Sequence, residues 1–349
     1  MTDRTFVEPG APTSAPDLRP GDTGSRAPTV AGAFEIRMTL PFRNVRARRG
    51  LLLEGPAGWG EWSPFADHGP ALAARWWHAA IEAATRPWPA PRRDDVPVNA
   101  IVPAVDAERA HRIVRGSGCT TAKVKVGSGD DRARVEAVRD ALGPHGRLRL
   151  DVNATWDVDT AVLRLRELAR YDLEYVEQPV ADLAGFARLR SRVDVPLAAD
   201  ESVRLAPDPL HIAGIDAADI VILKVQPLGG VYRCLEVAEA AGRPVVVSSA
   251  VETSVGLAAG LALAAALPEL AGACGLGTMS LLAGDVTAEP LRPVNGRMRV
   301  RRPVPERHLI DRWAADADQT AALYRRLEAA QAHMPASPQR PVPPRPPLA

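Results

Sequence analysis

Cysteine is scarce: three residues in 349, Cys119, Cys234 and Cys274, far apart, odd in number and without any CxxC or Cys/His cluster. A disulfide framework and a zinc site are thereby excluded, and a reduced cytosol fits. Net charge is almost absent, 43 basic against 42 acidic side chains for a formal +1, so the clustered basic excess of a nucleic-acid binder is missing. With 46% of residues hydrophobic, the chain also lacks the composition of an intrinsically disordered protein. Long apolar runs are missing too. The longest, Val255 to Leu267, is rich in Ala and Gly and stops at Pro268, too short for a bilayer, and the opening MTDRTFVEPGAPTSAP has no apolar core of the kind a secretory signal needs. The expectation is a cytoplasmic protein with a small-molecule substrate, no nucleic acid, no membrane and no obligate protein partner.

Proline, by contrast, is plentiful at 33 residues, but five lie in residues 1–30 and seven in 334–349. Such segments cannot bury enough apolar surface to offset their ordering entropy. Residues 1–32 and 334–349 are therefore expected to be disordered tails, the second with the PxxP spacing of a peptide ligand. Between them, residues 33–96 read as an α+β capping domain. FEIRMTL, LLLEG and GWGEWSPF suggest an antiparallel meander, ALAARWWHAAIEAA (71–84) a helix, and RPWPAPRRDDVP a linker.

From Pro97 the chain alternates short β-rich runs with amphipathic helical patterns, the signature of βα units around a parallel sheet. Eight strands are predicted: VNAIVPAV (98–105), AKVKVG (122–127), LRLDVN (148–153), YVEQPV (175–180), PLAADE (196–201), DIVILKVQP (219–227), PVVVSSAVE (244–252) and CGLGTMSLL (274–282). Eight strands with seven helices between them, and no glycine-rich phosphate loop after the first, predict an α/β fold of the modified TIM-barrel type, (β/α)7β, over residues 97–285. Residues 286–333 would return to the cap.

Parallel barrel strands are buried on both faces and should be unbroken Val/Ile/Leu runs. Here Lys123, Lys125, Asp151, Glu177, Asp200 and Lys224 interrupt them near their C-terminal ends, the end where barrel enzymes keep their chemistry. From Lys125 onward the spacing is roughly 25 residues, about one βα unit per step. With neighbouring strands about 4.8 Å apart, the six groups converge and must compensate one another. Asp151, Glu177 and Asp200, acids on three consecutive strands, form an all-oxygen set suited to a hard divalent cation such as Mg2+. Lys123 and Lys125 share one strand face, and Lys224 comes from the far side of the ring. A lysine acting as a base near neutral pH must lose its proton against a reference pKa of about 10.4. A cation and a second ammonium both push that way, and the roughly three units required correspond to about 4 kcal/mol. An exposed edge strand could also carry a KxK pair, but that leaves Lys224 unexplained.

Together these residues resemble the enolase superfamily, specifically its muconate-lactonizing-enzyme-like subgroup. The resemblance runs from about residue 33 to 300 and is carried by GWGEWSPF, TAKVKVG, LRLDVNATW, YVEQPV, LAADES, ILKVQPLGG and SSAVETSVGLAAGLALAAAL. It implies a cap closing over the barrel, Mg2+ on Asp151, Glu177 and Asp200, and Lys125 and Lys224 on opposite faces of the substrate. Within the subgroup the chain is most similar to the actinobacterial o-succinylbenzoate synthase family, lyases of menaquinone biosynthesis. The implied reaction is a Mg-dependent syn dehydration of 2-succinyl-6-hydroxy-2,4-cyclohexadiene-1-carboxylate through an enediolate. In it Lys125 serves as base and then acid, Lys224 remains a cation beneath the ring, and Lys123 tunes its neighbour.

Other readings stay open at this point. Asn153 either orients a metal-bound oxygen or a substrate carboxylate, or closes a turn. Gly229 and Gly230 let backbone approach the substrate, or simply form a strand-to-helix turn. Ser248 and Ser249 match the family's SS segment and would hold the succinyl end. Of Arg43, Arg46, Arg48 and Arg49 in the cap, one could meet a substrate carboxylate, most being solvated. Trp76 and Trp77 are expected to pack cap against barrel. The histidines at 68, 78, 111, 145, 211, 308 and 333 show no metal spacing and none ends a barrel strand, unlike the late histidine base of the mandelate-racemase subgroup. The alternative within the fold is an N-acylamino-acid racemase or another two-lysine epimerase. The Asp-x-Asp that dipeptide epimerases usually carry at the eighth strand is replaced here by GLGTMSLL.

Overall fold

The computed structural model describes residues 27–42, 45–212 and 216–334; Arg43 and most of both Pro-rich segments lie outside the described residues. The chain opens with three antiparallel strands, β1 (Thr29–Phe42), β2 (Val45–Gly55) and β3 (Gly58–Trp62). Helix Pro70–Thr85 packs on them, burying Ala73, Trp76, Trp77 and Ala80 with Leu51, Leu53 and Trp62. Its approach needs Gly60, where a β-carbon would stand 2.0 Å from the Ala80 carbonyl oxygen.

After β4 (Asp95–Pro97) the barrel begins. Its strands are β5 (Ala100–Val102), β6 (Thr121–Lys125), β7 (Arg147–Asp151), β8 (Leu173–Glu177), β9 (Leu197–Ala199), β10 (Ile220–Lys224) and β11 (Val245–Ser248), parallel and neighbours in chain order. The helices between them start where an aspartate supplies the missing acceptor: Asp106, Asp130, Asp157 and Asp182 each accept from the backbone N–H three residues on. After β9 the crossover shrinks to the short helix Glu201–Arg204 and a 3-10 turn at Pro209–Ile212; Pro207 and Pro209 stop a longer helix.

The expected eighth strand is much shorter than 274–282. Only Cys274 and Gly275 bridge, to Val98 and Ser248, and Gly277–Leu281 already coils into a 3-10 turn. Those two residues still close the ring. Cys274 donates to the Pro97 carbonyl at 2.7 Å and Gly275 to the Val247 carbonyl at 2.8 Å. Gly275 is required because a β-carbon there would meet Ser248 Oγ at 2.4 Å. The chain then returns to the cap. β12 (Arg297–Arg299) pairs with β4, and helix Ala317–Gln331 buries Leu323, Leu327 and Ala330 in the cap cluster.

Strand alternation sorts the barrel interior into layers. Tyr175, Ala198, Ile222 and Val246 pack together as one apolar cluster. Two residues further along each strand come Glu177, Asp200, Lys224 and Ser248. Arg149 shares the lower layer: fully buried, it pairs with Glu174 at 2.5 Å, donates to Asn99 at 3.1 Å and stacks 4.7 Å from the Tyr175 ring. Removing one partner of such a pair strands the other charge. Arg149→Met is therefore expected to destabilise the fold by about 3 kcal/mol, seen as a lower urea midpoint at unchanged m-value.

Candidate active site

The parallel register sets the site. Lys125 stands opposite Asp151 and Asp151 opposite Glu177, so these three leave their strands side by side, while Lys224 stands opposite Ser248 at the end of β10. Lys123 is one layer lower, level with Arg149, and reaches upward. Its Nζ lies 2.7 Å from Glu177 and 3.8 Å from Asp151. Lys125 Nζ is 3.7 Å from Asp151, and Lys224 Nζ 2.6 Å from Asp200. The six groups expected to converge do converge. β6 and β10 are separated by β7, β8 and β9, so Lys125 and Lys224 face each other across the mouth.

Burial shapes the electrostatics. Desolvation disfavours the Lys123 ammonium, but Glu177 and Asp151 outweigh it and raise its pKa, so Lys123 is a fixed cation. Glu177 is pushed up, first by burial, with Lys123 opposing. Arg204, which the sequence reading missed, is almost fully buried and bonds Asp200 Oδ1 at 2.9 Å and Glu201 at 2.7 Å. Its signal was its position four residues after Asp200 at a helix start.

The three acids are turned toward cations rather than toward one another, and among the described residues no three Asp, Glu, His or Cys side chains close on a single point. Their chemistry nevertheless fits a hard divalent ion. Glu177 is fully buried and its Oε1 has no hydrogen-bond partner, a costly state for a carboxylate oxygen. Asp151 and Asp200 flank it, from the neighbouring strand and from the end of β9. The donors are all oxygen.

The mouth is lined by Phe65 and Trp76 of the cap and by Ser248, Ser249 and Thr278 of the barrel. Ser249 and Thr278 share a hydrogen bond of 2.9 Å. Phe65 carried no sequence signal beyond its place in GWGEWSPF. Asn153 has φ +49 just beyond β7, and its side-chain amide donates to Glu201 at 3.1 Å, so it serves the turn and faces the acidic edge together. Gly229 and Gly230 require correction: they lie against the cap helix, where Glu82 fills the space beside Gly230 and His78 reaches the Gly229 carbonyl, and they do not line the mouth. Of the described cap arginines, Arg46 and Arg49 are exposed, as expected of most of them. Arg48 is the buried exception; it donates to the Val251 carbonyl at 2.9 Å and lies over the Phe65 ring. Arg49 is exposed and pairs with Glu35.

Two family descriptions match the chain, Enolase C-terminal domain-like over residues 105–306 and Enolase N-terminal domain-like over residues 33–84. The chain belongs to the enolase superfamily. It is 60% identical over 306 residues to an o-succinylbenzoate synthase of Thermobifida fusca, covering 86% of this chain and 95% of that one. It is 51% identical to that of Mycolicibacterium smegmatis, covering 78% and 85%. Among solved structures, the muconate lactonizing enzyme from Pseudomonas fluorescens complexed with muconolactone superposes with a TM-score of 0.71 at 20% identity, covering 83% of this chain and 99% of that one. The N-succinyl Arg/Lys racemase from Bacillus cereus gives 0.69 at 22%, covering 82% and 96%. These two share the enolase-superfamily fold.

The enolase-superfamily cap is latched to the barrel by buried Glu61, which lies beside buried Glu252. Glu61 of β3 accepts from Thr253 Oγ1 at 2.5 Å and from Gly256 N at 3.1 Å, while both Glu252 oxygens accept from Ala250 N at 2.9 Å. Val251 between them is held at φ +62, strained for a β-branched residue. Burial, reinforced by the Glu61 charge, raises the Glu252 pKa to about 7. The fold thus favours protonated Glu252. Its contribution to stability is complete below the ordinary carboxyl pKa of 4.5 and is lost as pH rises toward about 7. Glu252→Gln, always neutral, is expected to be about 3 kcal/mol more stable than the parent at pH 8 and nearly equal at pH 4, measured by urea unfolding at both values.

Proposed function

We propose that this chain catalyses the o-succinylbenzoate synthase reaction, the Mg2+-dependent dehydration of 2-succinyl-6-hydroxy-2,4-cyclohexadiene-1-carboxylate to 2-succinylbenzoate in menaquinone biosynthesis. The 60% likeness to the Thermobifida fusca enzyme over nearly its whole length carries the substrate assignment. The in-register Lys125, Asp151 and Glu177, with the Lys224–Asp200 ion pair, support the mechanism. Asp151, Glu177 and Asp200 would hold the cation. Its chemistry there is electrostatic: it stabilises negative charge building on a substrate carboxylate and disfavours the ammonium form of Lys125.

Lys125, neutral at the start, takes the proton beside the carboxylate. Now an ammonium on the same face, it returns that proton to the departing hydroxyl, so one group serves both steps of a syn elimination. Lys224, held by Asp200, stays charged beneath the opposite face and steadies the developing anion. Lys123, bound to Glu177, keeps a second positive charge near Lys125. Phe65, Trp76, Ser248 and Ser249 line the same cavity; on this reading the two aromatic rings limit water above the substrate and the two serines bind its succinyl arm. The three cysteines are free and buried, in keeping with the cytoplasm as its compartment, and among the described residues no helix is long and apolar enough to cross a membrane.

The facing lysines also suit the racemization of N-succinylamino acids, the second reading. Two assays separate them: ultraviolet detection of the aromatic product from the cyclohexadiene carboxylate, and α-proton exchange of N-succinylamino acids in D2O. Efficient dehydration is expected; exchange without dehydration would replace the first reading by the second.

A further inference from the structure

The turn that follows Lys224 is gripped by the cap. β10 ends at Lys224, the four-residue helix Val225–Leu228 follows, and the chain reverses through Gly229 (φ +99) and Gly230 (φ +129) into helix Val231–Ala241. Unlike the aspartate-capped helices described above, this one has no side chain of its own to satisfy its first N–H groups. The acceptor comes from the other domain. Glu82 Oε1, on helix Pro70–Thr85, takes the Val231 N–H at 2.6 Å, in line with the preference of a helix N-terminus for negative charge. A β-carbon at residue 230 would stand 2.7 Å from that carboxylate, which is why glycine is needed.

One helical turn earlier, His78 Nδ1 lies 2.6 Å from the Gly229 carbonyl oxygen. Since a carbonyl only accepts, Nδ1 carries the proton. Arg75, three residues before His78 on the same helix face, donates to the carbonyls of Arg204, Ala206 and Pro207, on the loop that follows Asp200. The N–H groups of Gly229 and Gly230 both return to the Val225 carbonyl, at 3.0 and 2.9 Å. An unbroken chain of contacts therefore runs from the cap carboxylate through the turn to the residue next to Lys224. Glu82 is buried, so water is a poor substitute acceptor.

We propose that Glu82 is a positioning residue for Lys224: by capping helix Val231–Ala241 from the other domain, it fixes the Gly229–Gly230 turn and, through Val225, the end of β10. This rests on the reading of Lys224 as the cation under the substrate ring. The docking of cap on barrel and the placement of a reacting-face ammonium become one event.

The test compares Glu82→Ala with Glu82→Gln, whose amide oxygen still accepts the Val231 N–H. Glu82→Ala is expected to lower kcat about 30-fold with KM within about two-fold, and Glu82→Gln to stay within about three-fold of the parent. In a Lys224→Arg background the Glu82→Ala penalty should shrink to about two-fold, because the group it positions is already altered. Amide exchange at Val231 should accelerate in Glu82→Ala alone. An unchanged kcat, a loss confined to KM, or an equal penalty in the Lys224→Arg background would overturn the proposal. Should Glu82→Ala fail to fold, His78→Phe removes the donor to Gly229 on the same turn, and a kcat loss of about three-fold, absent in the Lys224→Arg background, is the expected result; no loss contradicts it. If the parent chain does not dehydrate the cyclohexadiene carboxylate, the reaction assignment fails by itself. Val231 exchange and the position of Lys224 in a crystal of Glu82→Ala then decide this proposal separately.

Discussion

Lys125→Ala is expected to lower kcat for dehydration by about 10⁴-fold while leaving the circular dichroism spectrum and the urea midpoint unchanged. The separation of activity from stability follows from the side chain's surroundings. Lys125 stands at the partly open end of β6, and Asp151 keeps Lys123 as a second cation at 3.8 Å, so no buried charge is stranded by the change. Lys125→Arg should be nearly as inactive, because a guanidinium retains the positive charge but does not deprotonate near neutral pH. Either variant keeping most of its kcat would remove Lys125 from the role of base. A loss of both activity and fold would mean that the ammonium is structural.

The second large effect concerns the acids. Exhaustive chelation is expected to reduce turnover by at least about 10³-fold, with Mg2+ restoring it. Ca2+ should restore it less well, since it prefers longer bonds and more ligands. The expectation rests on Glu177, whose Oε1 is buried without a donor while Oε2 is held by Lys123. Full activity after chelation would leave that oxygen unexplained and dissolve the proposed ligand triad.

Much of the site was legible because buried parallel strands should be apolar. Lys125, Asp151, Glu177 and Lys224 violate that rule near their strand ends, and the register places the first three side by side. Strand parity was equally readable, although it places Lys123 a layer lower than its neighbours. What escaped were side chains whose roles depend on partners distant in the chain. Arg149 reads like any solvent-facing strand residue until Glu174, Asn99 and Tyr175 enclose it. Glu82 reads like one polar residue on an Ala-rich helix until Val231 arrives from 149 positions away. Gly229 and Gly230 announce conformational freedom, but a glycine does not reveal what fills the space beside it, and at Gly230 the occupant is a cap carboxylate rather than substrate. The closing strand was over-read because Gly275 and Gly277 sit among apolar residues that suggest extension, whereas only Cys274 and Gly275 form the bridges that shut the ring.

The most direct test is a crystal structure of the chain grown with Mn2+, read by anomalous scattering. One ion should appear within about 2.2 Å of oxygens from Asp151, Glu177 and Asp200, with the Lys123–Glu177 and Lys224–Asp200 contacts of 2.7 and 2.6 Å lengthened as the acids turn toward it. Both lysine contacts unchanged, with no anomalous peak between the three carboxylates, would contradict the account.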